Sequence, residues 1–374
     1  MKILHIGNLV NNSYKMAKFL RLRGIDADLL LFPDQIGTNN DPAWEDEELK
    51  NQYPDWIRIM APYSRRVRLA DSIESIIKRY RIVRGYDIIH AQCTSPITVQ
   101  FLGKPFIAHS LGSDLRELAH QKSLQGMLMR RAYRKSAVML YHSPDQIECV
   151  KRFKFRHAHF FPNPYDTDRY APQRAELEFQ GYDLILFHPT RLDWTYTGSD
   201  RSSTKGNDRF IRAFRQFTKK YPKAMLIMIE SGVDVTATKR LLDDLDLTKN
   251  IKFFPRYTKS ELIRFLNAVD VVVDQFDVGS LGGMALEAMS TGKPVITYVK
   301  EDCASLCYPE LPPVLNCHTE DEIYQRLLEA MDAKRRQGIG EAAREWILKY
   351  HHWEKVIDKL IFHYETILGR KTAH

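Results

Sequence analysis

A glycine-rich turn is the part of this sequence whose residue types are best suited to chemistry. It reads Gly279-Ser280-Leu281-Gly282-Gly283 and precedes a helix predicted from Met284 to about Ser290. Glycines let a ligand approach the main chain closely, and the first amides of a helix point outward beside the positive end of its dipole. The combination predicts a site for a diphosphate group.

Glu287 lies on the first turns of the same helix and can face the same ligand. Its carboxylate can accept hydrogen bonds from paired hydroxyls, such as those of a ribose. A structural alternative is that the glycines only form a tight crossover and that Glu287 only interacts with the helix dipole. The turn by itself does not decide between the two.

The segments around the turn predict where it lies in the fold. The apolar run Val271–Val273 reads as a buried strand, Gly292 and Pro294 end the helix, and Val295–Val299 reads as a second strand. A strand–turn–helix–strand unit of this kind belongs to a parallel sheet. Open α/β sheets bind ligands at the carboxyl edge, where this turn is expected.

The same alternation of strand and helix extends through the whole chain. Strands are predicted at 3–6, 28–32, 87–92, 106–109, 138–142, 184–187, 224–229, 251–254, 271–274 and 295–299, and helices include 13–23 and 62–84. The proline-containing stretch near residue 164 reads as a linker. We predict an N-terminal domain at 1–165, a linker at 166–180, a C-terminal domain at 181–345, and an amphipathic helix at 346–374 that packs back on the N-terminal domain.

Composition indicates an ordinary globular protein. The chain has 374 residues, of which 44% are apolar and 27% charged, and this is long enough for two domains. No run of about 18 apolar residues is present, and Met1–Gly7 reads as a first strand rather than a signal peptide. Five cysteines favour a reducing, cytoplasmic setting. The spacing of Cys303, Cys307, Cys317 and His318 matches no usual zinc pattern, so we expect no metal there.

The positive charge is concentrated in the N-terminal half. Residues 1–170 hold 26 Lys and Arg against 18 Asp and Glu, whereas the remainder holds 29 of each kind. Basic runs such as Arg130-Arg131 are usually solvated helix faces. Confined to one domain, they could also steer an anionic acceptor or hold the protein against an anionic membrane. No nucleic-acid-binding motif accompanies them, so nucleic acid is not an expected partner.

Several motifs resemble those of retaining glycosyltransferase family 4, the group 1 glycosyltransferases. Phe187–Leu192 is similar to its Gly-Arg-Leu-type turn, and Lys205-Gly206 is similar to its Lys-Gly helix start. Gly282–Val295 is similar to its nucleotide-sugar signature. Phe161–Asp166 is similar to its linker, and Ile107–Asp114 is similar to its His-Gly turn. The resemblance implies the GT-B fold. This fold has two doubly wound, Rossmann-like α/β domains facing across a cleft, with a C-terminal helix crossing between them.

The resemblance also implies roles for individual residues. Arg191 and Lys205 would contact the donor diphosphate, Glu287 would hold the ribose hydroxyls, and the turn Gly279-Ser280-Leu281-Gly282-Gly283 would support the diphosphate or sugar. His109 would lie beside the donor sugar, and the Gly7 turn would close over it from the N-terminal domain. Structural alternatives remain for three of them: a surface ion pair for Arg191, a helix-start lysine for Lys205, and a strand-end histidine with satisfied hydrogen bonds for His109.

Two features depart from the family pattern. The family usually has a glutamate eight positions before the one at Glu287, and here that position is Gly279. Asp274 or Asp277 could reach the donor sugar instead, or main-chain amides could serve. The segment 193–204 lengthens the gap between Arg191 and Lys205, either as a lid or as a tolerated surface insertion. No function is predicted for residues 34–57.

The implied activity is metal-independent, retaining hexosyl transfer from a nucleotide sugar, of UDP or GDP type, to a glycan, lipid-linked or small-molecule acceptor. The diphosphate would leave on the face that the acceptor hydroxyl attacks, and the leaving phosphate would take the proton. Arg191, Lys205 and helix amides would supply the positive field, so no cofactor is expected. The alternatives are a nucleotide-sugar 2-epimerase on the same scaffold and a catalytically inert nucleotide-sugar-binding protein.

Overall fold

The computed structural model describes residues 1–60, 81–195 and 204–369. The chain forms two compact units, one made of Met1–Pro164 with Trp353–His374 and the other of Tyr165–His352. Most of the predicted helix at 62–84 and of the predicted insertion at 193–204 lies outside the described residues. Among the helices within the described ranges, none combines the length and the apolar character that crossing a membrane requires.

The first unit is built on a parallel sheet of seven strands. They are β1 (Lys2–Ile6), β2 (Asp26–Leu31), β3 (Ile57–Ile59), β4 (Ile88–Gln92), β5 (Phe106–Ser110), β6 (Val138–Tyr141) and β7 (Ala158–Phe160). Their order across the sheet is β3-β2-β1-β4-β5-β6-β7. Strands β4 and β5 are buried along their whole length, as expected for strands covered by helices on both faces.

Six helices that lie wholly within the described residues precede the second unit in the chain. They are α1 (Asn12–Leu22), α2 (Pro42–Glu45), α3 (Pro96–Val99), α4 (Ser113–Arg116), α5 (Leu124–Lys135) and α6 (Ile147–Phe153). Helix α1 begins at Asn12, one residue before the predicted start, and Ser13 lies in its first turn. The Ser13 hydroxyl donates to the carbonyl of Gly7 and ties the helix to the turn after β1.

The acidic segment within residues 34–57 stabilises the fold. The Asp46 carboxylate accepts hydrogen bonds from the Tyr14 hydroxyl at 2.5 Å and from the Lys18 ammonium at 2.7 Å, both on α1. Burial and the nearby Asp46 raise the pKa of Tyr14, so its hydroxyl stays a donor. The segment therefore anchors α1 beside the outer strands of the sheet.

The second unit is built on a parallel sheet of six strands. They are β8 (Leu184–His188), β9 (Ala224–Ile229), β10 (Ile251–Phe254), β11 (Val271–Val273), β12 (Val295–Thr297) and β13 (Leu315–Asn316), in the order β10-β9-β8-β11-β12-β13. Its helices are α7 (Asn207–Lys220), α8 (Val235–Asp244), α9 (Lys259–Ala268), α10 (Gly283–Ser290), α11 (Glu301–Ala304), α12 (Glu320–Glu329) and α13 (Ala333–Tyr350). The strand order reverses between β8 and β11, which places a ligand crevice at their carboxyl ends. The predicted doubly wound α/β class is thus confirmed for both units.

The C-terminal segment consists of two helices rather than the single helix predicted. Helix α13 ends at Tyr350, and α14 (Trp353–Ile367) follows two residues later. Two hydrogen bonds fix the non-helical residues between them. The ring of His351 is hydrogen-bonded to the Tyr308 hydroxyl at 2.8 Å, and the ring of His352 is hydrogen-bonded to the Thr167 hydroxyl at 2.6 Å. Helix α14 packs its apolar face into the core of the first unit.

Three fully buried histidines cross the sheet of the first unit: His5 on β1, His90 on β4 and His109 on β5. The ring of His90 lies 2.7 Å from the Tyr364 hydroxyl through Nδ1 and 3.1 Å from Nδ1 of His109 through Nε2. Burial lowers the pKa of His5 to about 3 and holds those of His90 and His109 well below 6.5. All three rings are therefore neutral at neutral pH.

This histidine layer predicts acid sensitivity of the first unit. Below pH 6.5 the unfolded chain binds protons that the folded state cannot accept, so the free energy of unfolding falls by about 1.4 kcal/mol per pH unit and histidine. Urea unfolding between pH 7.5 and 5.5, followed by hydrogen exchange of β1, β4 and β5, should show this loss. His5→Phe should remove about one third of the slope that these three residues contribute, whereas His157→Phe, at an exposed position, should leave it unchanged. A stability that does not vary over this range would contradict the assignment.

Candidate functional site

The carboxylate of Asp274 lies buried beneath the glycine turn, directly after β11. Its Oδ1 accepts a hydrogen bond from the Thr190 hydroxyl at 2.9 Å, and its Oδ2 accepts one from the Gly282 amide at 3.0 Å. Burial raises the pKa of Asp274, while the Lys205 charge and hydrogen bonds from Thr190 and the amides of Gly282 and Ala285 oppose that rise. Asp274 thus connects the segments after β8 and β11 to the start of α10.

Gln275 connects Lys205 to the glycine turn. The Lys205 ammonium donates to Oε1 of Gln275 at 2.6 Å, and Nε2 of Gln275 donates to the carbonyl of Ser280 at 3.1 Å. The main chain of Lys205 is also fixed, because its amide donates to the carbonyl of Asp193 and its carbonyl accepts from the amide of Phe276. The structure therefore places the Lys205 side chain beside the turn.

His188 and Asn207 fix the start of α7 against the sheet. The buried His188 ring contacts the Val273 carbonyl through Nδ1 at 2.9 Å, and Asn207 Nδ2 lies 2.8 Å from its Nε2. Burial lowers the pKa of His188 to about 4, so a neutral ring donates at Nδ1 and accepts at Nε2. Sequence reasoning missed this pair; the only sequence signal is a polar ring at the end of an otherwise apolar strand.

Arg191 lies on a well-fixed turn with its side chain in solvent. Its guanidinium is 3.1 Å from the Asp193 carboxylate, and the Arg191 side chain is 60% exposed. The turn is held because the Leu192 amide donates to the Ser231 carbonyl at 2.8 Å, and Gly232 packs on Leu192 with φ +124°. An exposed cation on a fixed backbone can meet an incoming anion.

The glycines of the turn have different surroundings. A Cβ on Gly282 would lie 2.4 Å from Oδ2 of Asp274, and one on Gly279, whose φ is +78°, would lie 2.6 Å from Cγ of Lys300. These two glycines accommodate atoms of the protein itself. Gly283 is exposed and is the glycine that opens outward from the turn.

Asp274 and Asp277, the two aspartates considered as substitutes for the missing glutamate, both bind other groups of the protein. Asp274 binds the turn, as described above. Asp277 is paired with the Arg209 guanidinium and accepts a hydrogen bond from the Thr204 hydroxyl at 2.5 Å. The packing of Lys300 across Gly279 explains why that position carries no side chain.

Glu287 is buried on α10 and forms an ion pair with the buried Lys259 ammonium. The Tyr170 hydroxyl donates to the same carboxylate oxygen, Oε1, at 3.3 Å. Burial, with Glu287 and Asp274 nearby, raises the pKa of Tyr257, so the Tyr257 hydroxyl near the carboxylate stays protonated. The sequence predicted Glu287 but gave no indication of its partner.

His109 and Gly7 belong to the first unit. His109 is fully buried, and its Nε2 has no hydrogen-bond partner among the described residues. Gly7 has φ +88°, and a Cβ there would lie 2.6 Å from the Gln92 carbonyl oxygen, so this turn also requires glycine. The predicted contact of both with the donor sugar stays a prediction.

No cysteine belongs to a group of three potential metal ligands within the described residues. Across residues 1–60, 81–195 and 204–369, no three His, Cys, Asp or Glu side chains are grouped as metal ligands. Cys317 lies in the core of the second unit, and the His318 ring stacks on Tyr298 at 4.3 Å.

Comparison with known proteins identifies relatives of this chain. The family model described as glycosyl transferases group 1 matches residues 197–346. A GDP-mannose-dependent monoacylated alpha-(1-6)-phosphatidylinositol monomannoside mannosyltransferase of Corynebacterium glutamicum is 29% identical over 227 residues, which are 59% of this chain and 54% of the relative. A related mannosyltransferase of Mycobacterium tuberculosis is 23% identical over 211 residues, 54% of each chain. This chain therefore spans about half the length of these curated relatives.

A solved structure shares the fold over nearly the whole chain. The structure of Anabaena HepE in complex with UDP and glucose superposes with a TM-score of 0.76 at 15% identity, covering 98% of this chain and 100% of HepE. The fold class expected from the sequence, with two Rossmann-like parallel-sheet domains of GT-B type, is confirmed.

The Lys259–Glu287 pair predicts a strong dependence of stability on both partners. Glu287→Gln should lower the free energy of unfolding of the second unit by about 3–5 kcal/mol, because it leaves a buried ammonium without its counter-charge. The double variant Lys259→Met/Glu287→Gln should recover most of that loss. Hydrogen exchange over residues 259–290 measures both effects. Equal losses in the single and double variants would argue against the ion pair.

Proposed function

We propose that this chain, whose residues 197–346 match the group 1 glycosyl transferases, transfers a sugar from a nucleoside diphosphate donor to an acceptor hydroxyl. One observation carries the proposal: at the point where the strand order of the second unit reverses, the Lys205 ammonium is joined through Gln275 to a glycine turn that opens a helix. A fixed cation beside outward-facing helix amides is suited to a diphosphate.

The diphosphate is assigned to specific groups. The amides of Gly282 and Ala285 face Asp274, so the amides of Gly283 and Met284 are the ones proposed to meet phosphate oxygens. Lys205 adds its charge from the side of Gln275. Arg191, with its exposed guanidinium, is proposed to leave Asp193 and pair with the phosphate as the donor binds.

Glu287 is assigned to the ribose of the donor. Lys259 and Tyr170 both bind its Oε1, which holds the carboxylate in one orientation. Oε2 is the oxygen that we propose accepts hydrogen bonds from the two ribose hydroxyls. Lys259 is thus a positioning residue for this contact.

We further propose that the reaction retains the anomeric configuration. The bond between the anomeric carbon and the diphosphate oxygen breaks, the acceptor oxygen bonds to the same face of that carbon, and the acceptor proton passes to the departing phosphate. Lys205 and Arg191 stabilise the charge that develops on the leaving group.

Relatives named as GDP-mannose-dependent phosphatidylinositol mannoside mannosyltransferases support GDP-mannose as the first donor to test and a lipid-linked acceptor. The experiment incubates the protein with GDP- and UDP-sugars, with and without acceptors, in the presence and absence of EDTA. Acceptor-dependent nucleotide release with an unchanged anomeric configuration and no effect of EDTA is the expected result. Acceptor-free epimer formation would identify an epimerase instead, and binding without turnover an inert binding protein.

Loss of either phosphate-binding cation should lower turnover strongly. Arg191→Ala and Lys205→Ala should each reduce kcat/KM by about 10- to 150-fold, since a hydrogen bond to a charged group contributes about 1.5–3 kcal/mol. Arg212→Ala and Lys219→Ala, which remove exposed cations from α7, are the matched controls and should retain full activity. Unimpaired kcat/KM in both test variants would refute the assigned site.

A further inference from the structure

One face of α5 in the first unit combines exposed apolar and cationic side chains. At 100° per residue, the apolar and cationic residues of this face fall within an arc of about 120°. The face consists of Leu124, Met127, Leu128, Arg131, Arg134 and Lys135, and Phe101 lies beside it. The exposed fractions are 65% for Leu124, 53% for Met127 and 60% for Phe101. We refer to these seven residues as the α5 face.

The chain around the α5 face carries only positive charge. From Leu118 to Pro144 the sequence has five Lys and Arg and no Asp or Glu. Within the α5 face, the apolar residues of the helix lie in its N-terminal half and the cations in its C-terminal half. A surface of this kind attracts a polyanion and at the same time offers apolar side chains to it.

The α5 face is fixed in place by the fold. The Arg131 guanidinium donates to Oε1 of Gln100 at 2.6 Å and lies over the Phe101 ring at 5.1 Å. The Lys135 ammonium donates to the carbonyl of Gln100. On the opposite side of the helix, Met129 and Tyr133 are buried. No rearrangement of the helix is needed to present this face to a partner.

We propose that the α5 face docks the protein on an anionic lipid bilayer. Lipid headgroups match the cations by charge, and the interfacial region takes up Leu124, Met127 and Phe101, which a nucleic acid backbone would leave exposed. A second copy of the chain fits poorly, because a two-fold contact would bring the cations of one face against those of the other. This assignment is independent of the proposed transferase activity.

Vesicle sedimentation with the full chain tests the proposal. The protein should bind vesicles of phosphatidylcholine with phosphatidylglycerol but not vesicles of phosphatidylcholine alone, and added salt should weaken the binding. Leu124→Glu/Met127→Glu should lower the partition coefficient about tenfold or more. Val233→Glu/Leu306→Glu, a matched control at two exposed apolar positions of the second unit, should leave it unchanged.

A second pair of variants tests the charge. Lys122→Gln/Arg134→Gln should weaken binding to the anionic vesicles several-fold, whereas Lys151→Gln/Arg152→Gln, which removes the same charge from exposed positions on α6, should not. The proposal is overturned if the native protein fails to bind anionic vesicles, if test and control variants bind alike, or if Leu124→Glu/Met127→Glu abolishes a native dimer in size-exclusion chromatography.

Discussion

The fold of the second unit depends on the buried carboxylate of Asp274, which is hydrogen-bonded to other groups of the same unit. Asp274 is almost fully buried, and a buried charge is stable only when it is paired or hydrogen-bonded. Its partners come from the segment after β8 and from the start of α10, so satisfying the charge fixes both. The same charge attracts Lys205 and favours its position beside the turn. A stability requirement thus holds the cation in the position that the proposed donor site needs.

Local signals allowed much of this to be predicted from the sequence. The strands β8, β9, β10 and β11 are short apolar runs bounded by polar or glycine-containing segments, and α10 lies between a glycine turn and Gly292, whose φ is +70° as its predicted helix-ending role requires. The pairing of side chains was not predictable. Thr190 and Asp274 are 84 residues apart, and Lys205 and Gln275 are 70 apart. Only the strand order brings such residues together.

The missed elements have a common physical cause. Strands β3, β7 and β13 contain two or three residues each, too few for alternation to indicate a strand, and they form because a neighbouring strand offers hydrogen-bonding groups. The break between α13 and α14 is similar. Nothing in the local sequence ends the helix, and the His351 and His352 rings are held by Tyr308 and Thr167, which are distant in the sequence.

The charge asymmetry shows what a residue count can and cannot indicate. Some cations of the first unit serve the fold, since Arg58 pairs with the buried Asp28 and Arg116 with the buried Asp145, each at 3.1 Å. Such pairs neutralise buried carboxylates and contribute little to the outer field. On the α5 face, Arg131 and Lys135 bind neutral groups of Gln100, so their charge is not cancelled by these contacts. The sequence therefore identifies which half is cationic, and the pairing of individual residues identifies which surface can act on a partner.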